Sequence, residues 1–152
     1  MANETESLSI AQAVTHLLEE CRMVLPGVQA LFGFQLIAVF SPGFAQQLSQ
    51  IEQRLHLLAL ALVAMAGALI MTPAAYHRQT SPLQASVRLL KLGGRLLVGS
   101  MVALMAGVGF DFYLVARVIL GQIATAAVAA VLMVIFFAGW WFILPHLMRS
   151  RH

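Results

Sequence analysis

The chain has 152 residues, of which 61% are hydrophobic and 10% charged, with a mean hydropathy of +0.87 and a formal net charge of +3. A soluble domain is about half apolar and roughly a quarter charged, so this composition excludes an ordinary soluble fold and leaves no room for a catalytic domain beside the membrane part. In a soluble protein a pI near 9.8 would point to nucleic acid; here the basic residues flank apolar runs, where topology and lipid headgroups account for them, and no nucleic-acid partner is expected.

Ile10, Val14, Leu17, Leu18 and Cys21 recur at three- and four-residue steps, with Gln12, Thr15, Glu19 and Arg22 opposite. This pattern predicts an amphipathic helix over 9–23, started by a capping box from Ser9 to Gln12 and lying along the cytoplasmic interface. Pro26 predicts a break or kink before the first span. The alternative makes 9–23 an extension of that span, packed on its neighbours. The first span is expected over 24–40, ended by Ser41-Pro42-Gly43 and followed by a polar external segment, Ala45 to Arg54, with room for a short helix. Further spans are expected over 57–75, 96–116 (or ending at Phe110) and 123–144, each near the roughly 20 residues that cross a bilayer. The fold class is therefore an all-α membrane protein: one domain over 1–152, with four transmembrane helices preceded by an N-terminal amphipathic interfacial helix.

Orientation follows from Lys and Arg. With the N-terminus cytoplasmic, the inside collects Arg22, Arg78, Arg88, Lys91, Arg95, Arg149 and Arg151, and the outside only Arg54 and Arg117. Seven against two places both termini inside. Glu4, Glu6, Glu19 and Glu20, without a basic n-region, do not resemble a cleaved signal. Cys21 reads as an ordinary apolar-face residue.

Small residues repeat at four-residue spacing in the third span (Gly99, Ala103, Gly107) and the fourth (Gly121, Thr125, Ala129), and Ala64 and Ala68 do so in the second. Such stripes let helix backbones approach closely. They predict tight packing within one bundle, in a homo-oligomer, or against other membrane subunits. Trp140, Trp141 and Tyr113 fit the aromatic belts.

Two motifs carry a resemblance. Glu20-Cys21-Arg22 followed by Gly27-Val28-Gln29-Ala30-Leu31-Phe32-Gly33-Phe34, and Pro73-Ala74-Ala75-Tyr76-His77-Arg78, resemble the E-x-R…G-V-Q-x-L-F-x-F and P-x-A-Y-H-R signatures of an uncharacterised bacterial family of small four-span membrane proteins. The second half is similar in layout, with an acid near the external end of the third span, here Asp111, and a W-F-x-L-P ending, here Trp141 to Pro145. The family is a domain of unknown function, some members of which are labelled automatically as sodium:proton antiporters. The resemblance implies a four-span topology in a bacterial inner membrane.

With both termini inside, Glu20, Arg22, Tyr76, His77 and Arg78 fall at one cytoplasmic depth, and Gln29 lies two turns from Arg22 on the same face. They are expected to meet in a charge-assisted cluster; the competing readings are snorkelling side chains and a titrating His77. Gln29 and Gln35 are expected to bond to neighbouring helices. Asp111 is expected near the external surface, paired with Arg117 or Arg54; a third span running on through Ala116 would bury it. His16, His56, His146 and His152 read as solvated.

No catalytic constellation, phosphate loop or metal-ligand spacing is present, so no enzyme, cofactor or metal is expected. The reading is a non-enzymatic assembly or accessory subunit, or a homo-oligomeric structural component, bound to membrane lipids. The alternative is a small cation or proton transporter, or an oligomeric channel. A deep, water-accessible Asp111 or His77 favours transport; a dry bundle with a small-residue stripe exposed towards another subunit favours assembly.

Overall fold

The computed structural model describes residues 2–80 and 87–149; Arg151 and His152 of the topology and histidine readings lie outside them. Every described element is helical: α1 (Ala2–Val39), α2 (Pro42–Gln47), α3 (Gln50–Thr80), α4 (Val87–Leu120), α5 (Ile123–Ala138), a π-helical turn (Gly139–Ile143) and α6 (Leu144–Arg149). Four stretches are long and apolar enough to cross a membrane: Ser9–Val39, Gln50–Gln79, Val87–Leu120 and Ile123–Met148.

The break expected at Pro26 is absent, because α1 runs through it without interruption. Contacts on both sides of the proline hold the helix across the lost hydrogen bond. Cys21 and Val28 share one core cluster with Val63 and Ile70 of α3, and Val14 and Leu17 are buried one and two turns earlier. Leu17 sits over Gly93 of α4, where an added Cβ would run into Leu17 Cδ2. The 9–23 segment is therefore a packed extension of the first span. The 31 residues Ser9–Val39 reach about 46 Å, against roughly 30 Å of hydrocarbon, so α1 projects well past the apolar layer.

The polar segment after α1 forms α2, with Ser41 extended and Pro42 in the first turn. Ser49 then opens α3 through a reciprocal cap: Glu52 Oε2 accepts from the Ser49 backbone N–H at 2.8 Å and from its hydroxyl at 2.7 Å, and the Glu52 N–H points back to Ser49 Oγ at 3.4 Å. This capping box starts α3 at Gln50, well before the expected start of the span at position 57, and puts Glu52, Arg54 and His56 on the helix.

Helices α3 and α4 form the most extensive contact. Ala59, Val63, Ala66, Ile70 and Pro73 are buried on α3 at the alternating four- and three-residue steps of a heptad seam. Helix α4 answers with Gly107, with Ala103 and Ser100 buried one and two turns before it. At Gly107 the backbones come close enough that a Cβ would stand 2.9 Å from Val63 Cγ2 and 3.2 Å from the Ala59 carbonyl. Gly99, on the same side, has only Leu69 Cδ1 at 3.7 Å. Ala64 and Ala68 are exposed.

Helix α5 packs mainly on α4 through Ala126 and Ala130, and Val134 Cγ2 lies 2.7 Å from where a Cβ on Gly109 would be. Gly121 and Thr125 are exposed and Ala129 is half-buried, so the contacting stripe is one residue further along than the small-residue repeat. Gly121 has another duty. It closes α4 with φ +71° and donates its N–H to the Arg117 carbonyl at 3.1 Å, the left-handed residue that ends a helix before a two-residue link. We predict that Gly121→Ala lowers stability by about 1 kcal/mol, the cost of a Cβ in that region, read as a lower thermal midpoint in detergent. Beyond α5, Pro145 lacks an N–H and its ring crowds the carbonyl four residues back. The helix widens there, and the Leu144 N–H reaches Gly139 O instead.

Candidate functional site

Three helices bring polar groups together inside the span: Gln35 from α1, His56 from α3 and Asp111 from α4. Gln35 is 4% exposed and His56 7%. Gln35 Nε2 donates to Asp111 Oδ2, and His56 Nδ1 stands 3.3 Å from Asp111 Oδ1. His56 Nε2 is 3.0 Å from the Gln35 carbonyl, and the Phe44 ring of α2 packs edge-on against the imidazole with centroids 5.2 Å apart.

The acceptors decide where hydrogens must be. A backbone carbonyl only accepts, so His56 Nε2 carries its hydrogen. Nδ1 of the neutral ring is then a lone pair facing a carboxylate oxygen, two acceptors at 3.3 Å. A proton between them removes the conflict, giving either imidazolium with carboxylate or imidazole with carboxylic acid. Gln35 Oε1 is also buried without a hydrogen-bond partner.

Depth follows from the helix. From Arg95 to Arg117 is 22 residues, about 33 Å along the axis and close to the roughly 30 Å hydrocarbon thickness. Asp111 lies six residues, or about 9 Å, inside the Arg117 level. Helix α4 continues to Leu120, so Asp111 lies on the helix, half-buried, and not in a loop beyond its end. The expected Arg117 and Arg54 partners go elsewhere: Arg117 Nε pairs with Glu52 Oε1 at 3.3 Å, tying the start of α3 to the end of α4 above the site, and Arg54 is exposed.

Two openings reach the site. A cleft of about 470 Å³ joins His56 to Gln50, Gln53 and Arg54 at the start of α3. A cavity of about 370 Å³ on the other side is lined by Gln35, His56 and Asp111 with apolar walls such as Leu114 and Val118. Towards the opposite end the seam is closed, with Val63, Ala66 and Ile70 at most 1% exposed.

The other sequence-predicted residues are not brought together in the same way. Arg22, His77 and Arg78 line one cleft of about 590 Å³, whereas Tyr76 faces a different cleft with Arg88, Lys91 and Arg95. Glu20 and Gln29 are exposed. Among the described residues no hydrogen bond or ion pair joins Glu20, Arg22, Gln29, His77 and Arg78 to one another. Glu20 is one residue, about 100° of helix, from the buried Cys21 and is turned away from α3. His16 and His146 are exposed, and His16 lies 3.6 Å from Glu19. His56 differs from the solvated reading because the α3 cap carries the helix past it. Among the described residues no group of three or more His, Cys, Asp or Glu forms a metal site.

Four long apolar helices, three of which bring a carboxylate and an imidazole together, define a small multi-span helical membrane protein. The model of a family of unknown function, DUF6328, matches residues 3–145, and the chain belongs to that family. No curated protein and no solved structure matches it.

Proposed function

We propose that this is a non-enzymatic protein of the bacterial inner membrane, with both termini cytoplasmic, that binds and releases protons at Gln35, His56 and Asp111 as a small proton-coupled transporter. One observation carries the reading: both nitrogens of a buried intramembrane His56 face acceptors, so its pairing with Asp111 calls for a proton. Ionisable groups inside a span are costly and mark ion or proton paths. With the termini inside, the clefts beside His56 open outward and the α3–α4 seam closes the cytoplasmic side, the arrangement of an outward-open state. The cleft past Gln53 and Arg54 is the route by which a proton would reach His56.

The test is reconstitution into liposomes carrying an internal pH dye, with a proton or sodium gradient imposed. The reading expects dye responses above those of protein-free vesicles. Responses equal to protein-free vesicles under both gradients contradict it.

A second reading, an assembly or accessory component, is supported by the fourth span, Ile123–Met148, whose most apolar stretch of 18 residues has none buried within the chain, and by the exposure of Gly121 and Thr125. A homo-oligomer or foreign subunit would close on that face. Native mass spectrometry of gently extracted protein tests it, and recovery as a bare monomer opposes it.

A further inference from the structure

The cleft between the ends of α3 and α4 is a second site, unrelated to the proton pair. It measures about 530 Å³ and is lined by Tyr76 from α3 and by Val87, Arg88, Lys91, Leu92 and Arg95 from the first turns of α4. Arg88, Lys91 and Arg95 follow one another at three- and four-residue steps, so their side chains share one face of the helix. No ion pair joins them to an acid among the described residues, and the segment 80–86 leading into α4 contains no Asp or Glu. Three cations therefore converge on a cleft that holds no compensating charge of its own.

From these observations we infer that the cleft binds the headgroup of an anionic phospholipid. The depth is right for it. Arg95 stands at the edge of the hydrocarbon, about 33 Å from the Arg117 level, and Lys91 and Arg88 rise about 6 and 10 Å beyond it, which is the headgroup layer. The chemistry is right as well: guanidinium and ammonium groups bind phosphate through charge-assisted hydrogen bonds, the amino-terminal end of α4 adds its positive dipole, and Val87 and Leu92 supply an apolar border for the upper acyl carbons. Topology alone asks for cations on this side of the membrane. It does not require them to share one helix face with a cleft and an aromatic side chain.

Native mass spectrometry of the full chain, released from nanodiscs containing equal parts phosphatidylglycerol and phosphatidylcholine, tests the inference. The wild type is expected to retain phosphatidylglycerol in preference to phosphatidylcholine, and R88Q/K91Q/R95Q to retain it on the order of 100-fold less, from roughly 1 kcal/mol per cation near a charged surface. Inorganic phosphate at millimolar concentration is expected to leave the bound lipid in place. Equal retention of the two lipids by the wild type, unchanged retention by the triple variant, or displacement by inorganic phosphate, which would mark a free-anion site, each overturns the inference. If the triple variant does not fold, the exposed single change Lys91→Gln takes its place. It is expected to lower phosphatidylglycerol retention several-fold, and equal retention overturns the inference.

Discussion

Asp111→Asn abolishes proton movement in liposomes while leaving the bundle assembled. The amide has nearly the shape of the carboxylate, and its oxygen still accepts from Gln35 Nε2. It cannot share a proton with His56 Nδ1, 3.3 Å away, because an amide takes no proton in the accessible pH range. Flux is therefore expected to fall to the level of protein-free vesicles. Stability changes little by comparison: the variant exchanges a charge-assisted hydrogen bond for a neutral one, a difference of about 1 kcal/mol. Size-exclusion behaviour and thermal midpoint in detergent supply that control. A variant that stays monodisperse and still moves protons at the wild-type rate shows that Asp111 is a structural carboxylate only.

The largest effect on the fold is expected at Gly107. A leucine there drives its Cβ to 2.9 Å from Val63 Cγ2 and 3.2 Å from the Ala59 carbonyl. The second of these is backbone and cannot rotate away. Opening the α3–α4 seam to admit it costs several kcal/mol by the scale of overpacked cores and also loses the close approach that holds spans together in lipid. Gly107→Leu is expected to aggregate or fail to accumulate. Gly99→Ala is the matched control, since its Cβ meets only Leu69 Cδ1 at 3.7 Å and alanine is the better helix former; its thermal midpoint is expected at or above the wild type's. Equal behaviour of the two variants would show that the seam is not the close contact described.

The span count and the third-span stripe were legible because both are periodic. Apolar runs near the length of a bilayer and small residues four apart leave few architectures open, and Ala103 and Gly107 do lie on the seam. The stripe in α5 was displaced by one residue, since Ala126 and Ala130 offer the same small size as Thr125 and Ala129 and only the neighbour decides between them. Pro26 misled as a breaker because tertiary contacts at Cys21 and Val28 outweigh one lost hydrogen bond.

The polar site was half visible. Gln35 and Asp111 stood out as polar groups in apolar runs, but their meeting with His56 joins residues 76 apart in sequence, which spacing cannot show. His56 reads as solvated in the sequence because Glu52, Gln53 and Arg54 dilute hydropathy just before it. The signal that would have found it is Ser49 followed by Glu52, the cap that makes residues 50–56 the first turns of a helix. From there, His56 sits one turn beyond Glu52 on the same face. Arg22, His77 and Arg78 share a cleft, whereas Tyr76 lines another and Glu20 is exposed; a count of lysines and arginines predicts depth and says nothing of helix face.

If the His56–Asp111 pair takes up and gives back a proton inside the membrane, a change of pH displaces charge across it. Electrophysiology on a solid-supported membrane loaded with the reconstituted protein measures that charge displacement directly, by a rapid pH step. The account predicts a transient current from the wild type that is absent from Asp111→Asn. No current from the wild type, or equal currents from the two proteins, would contradict it.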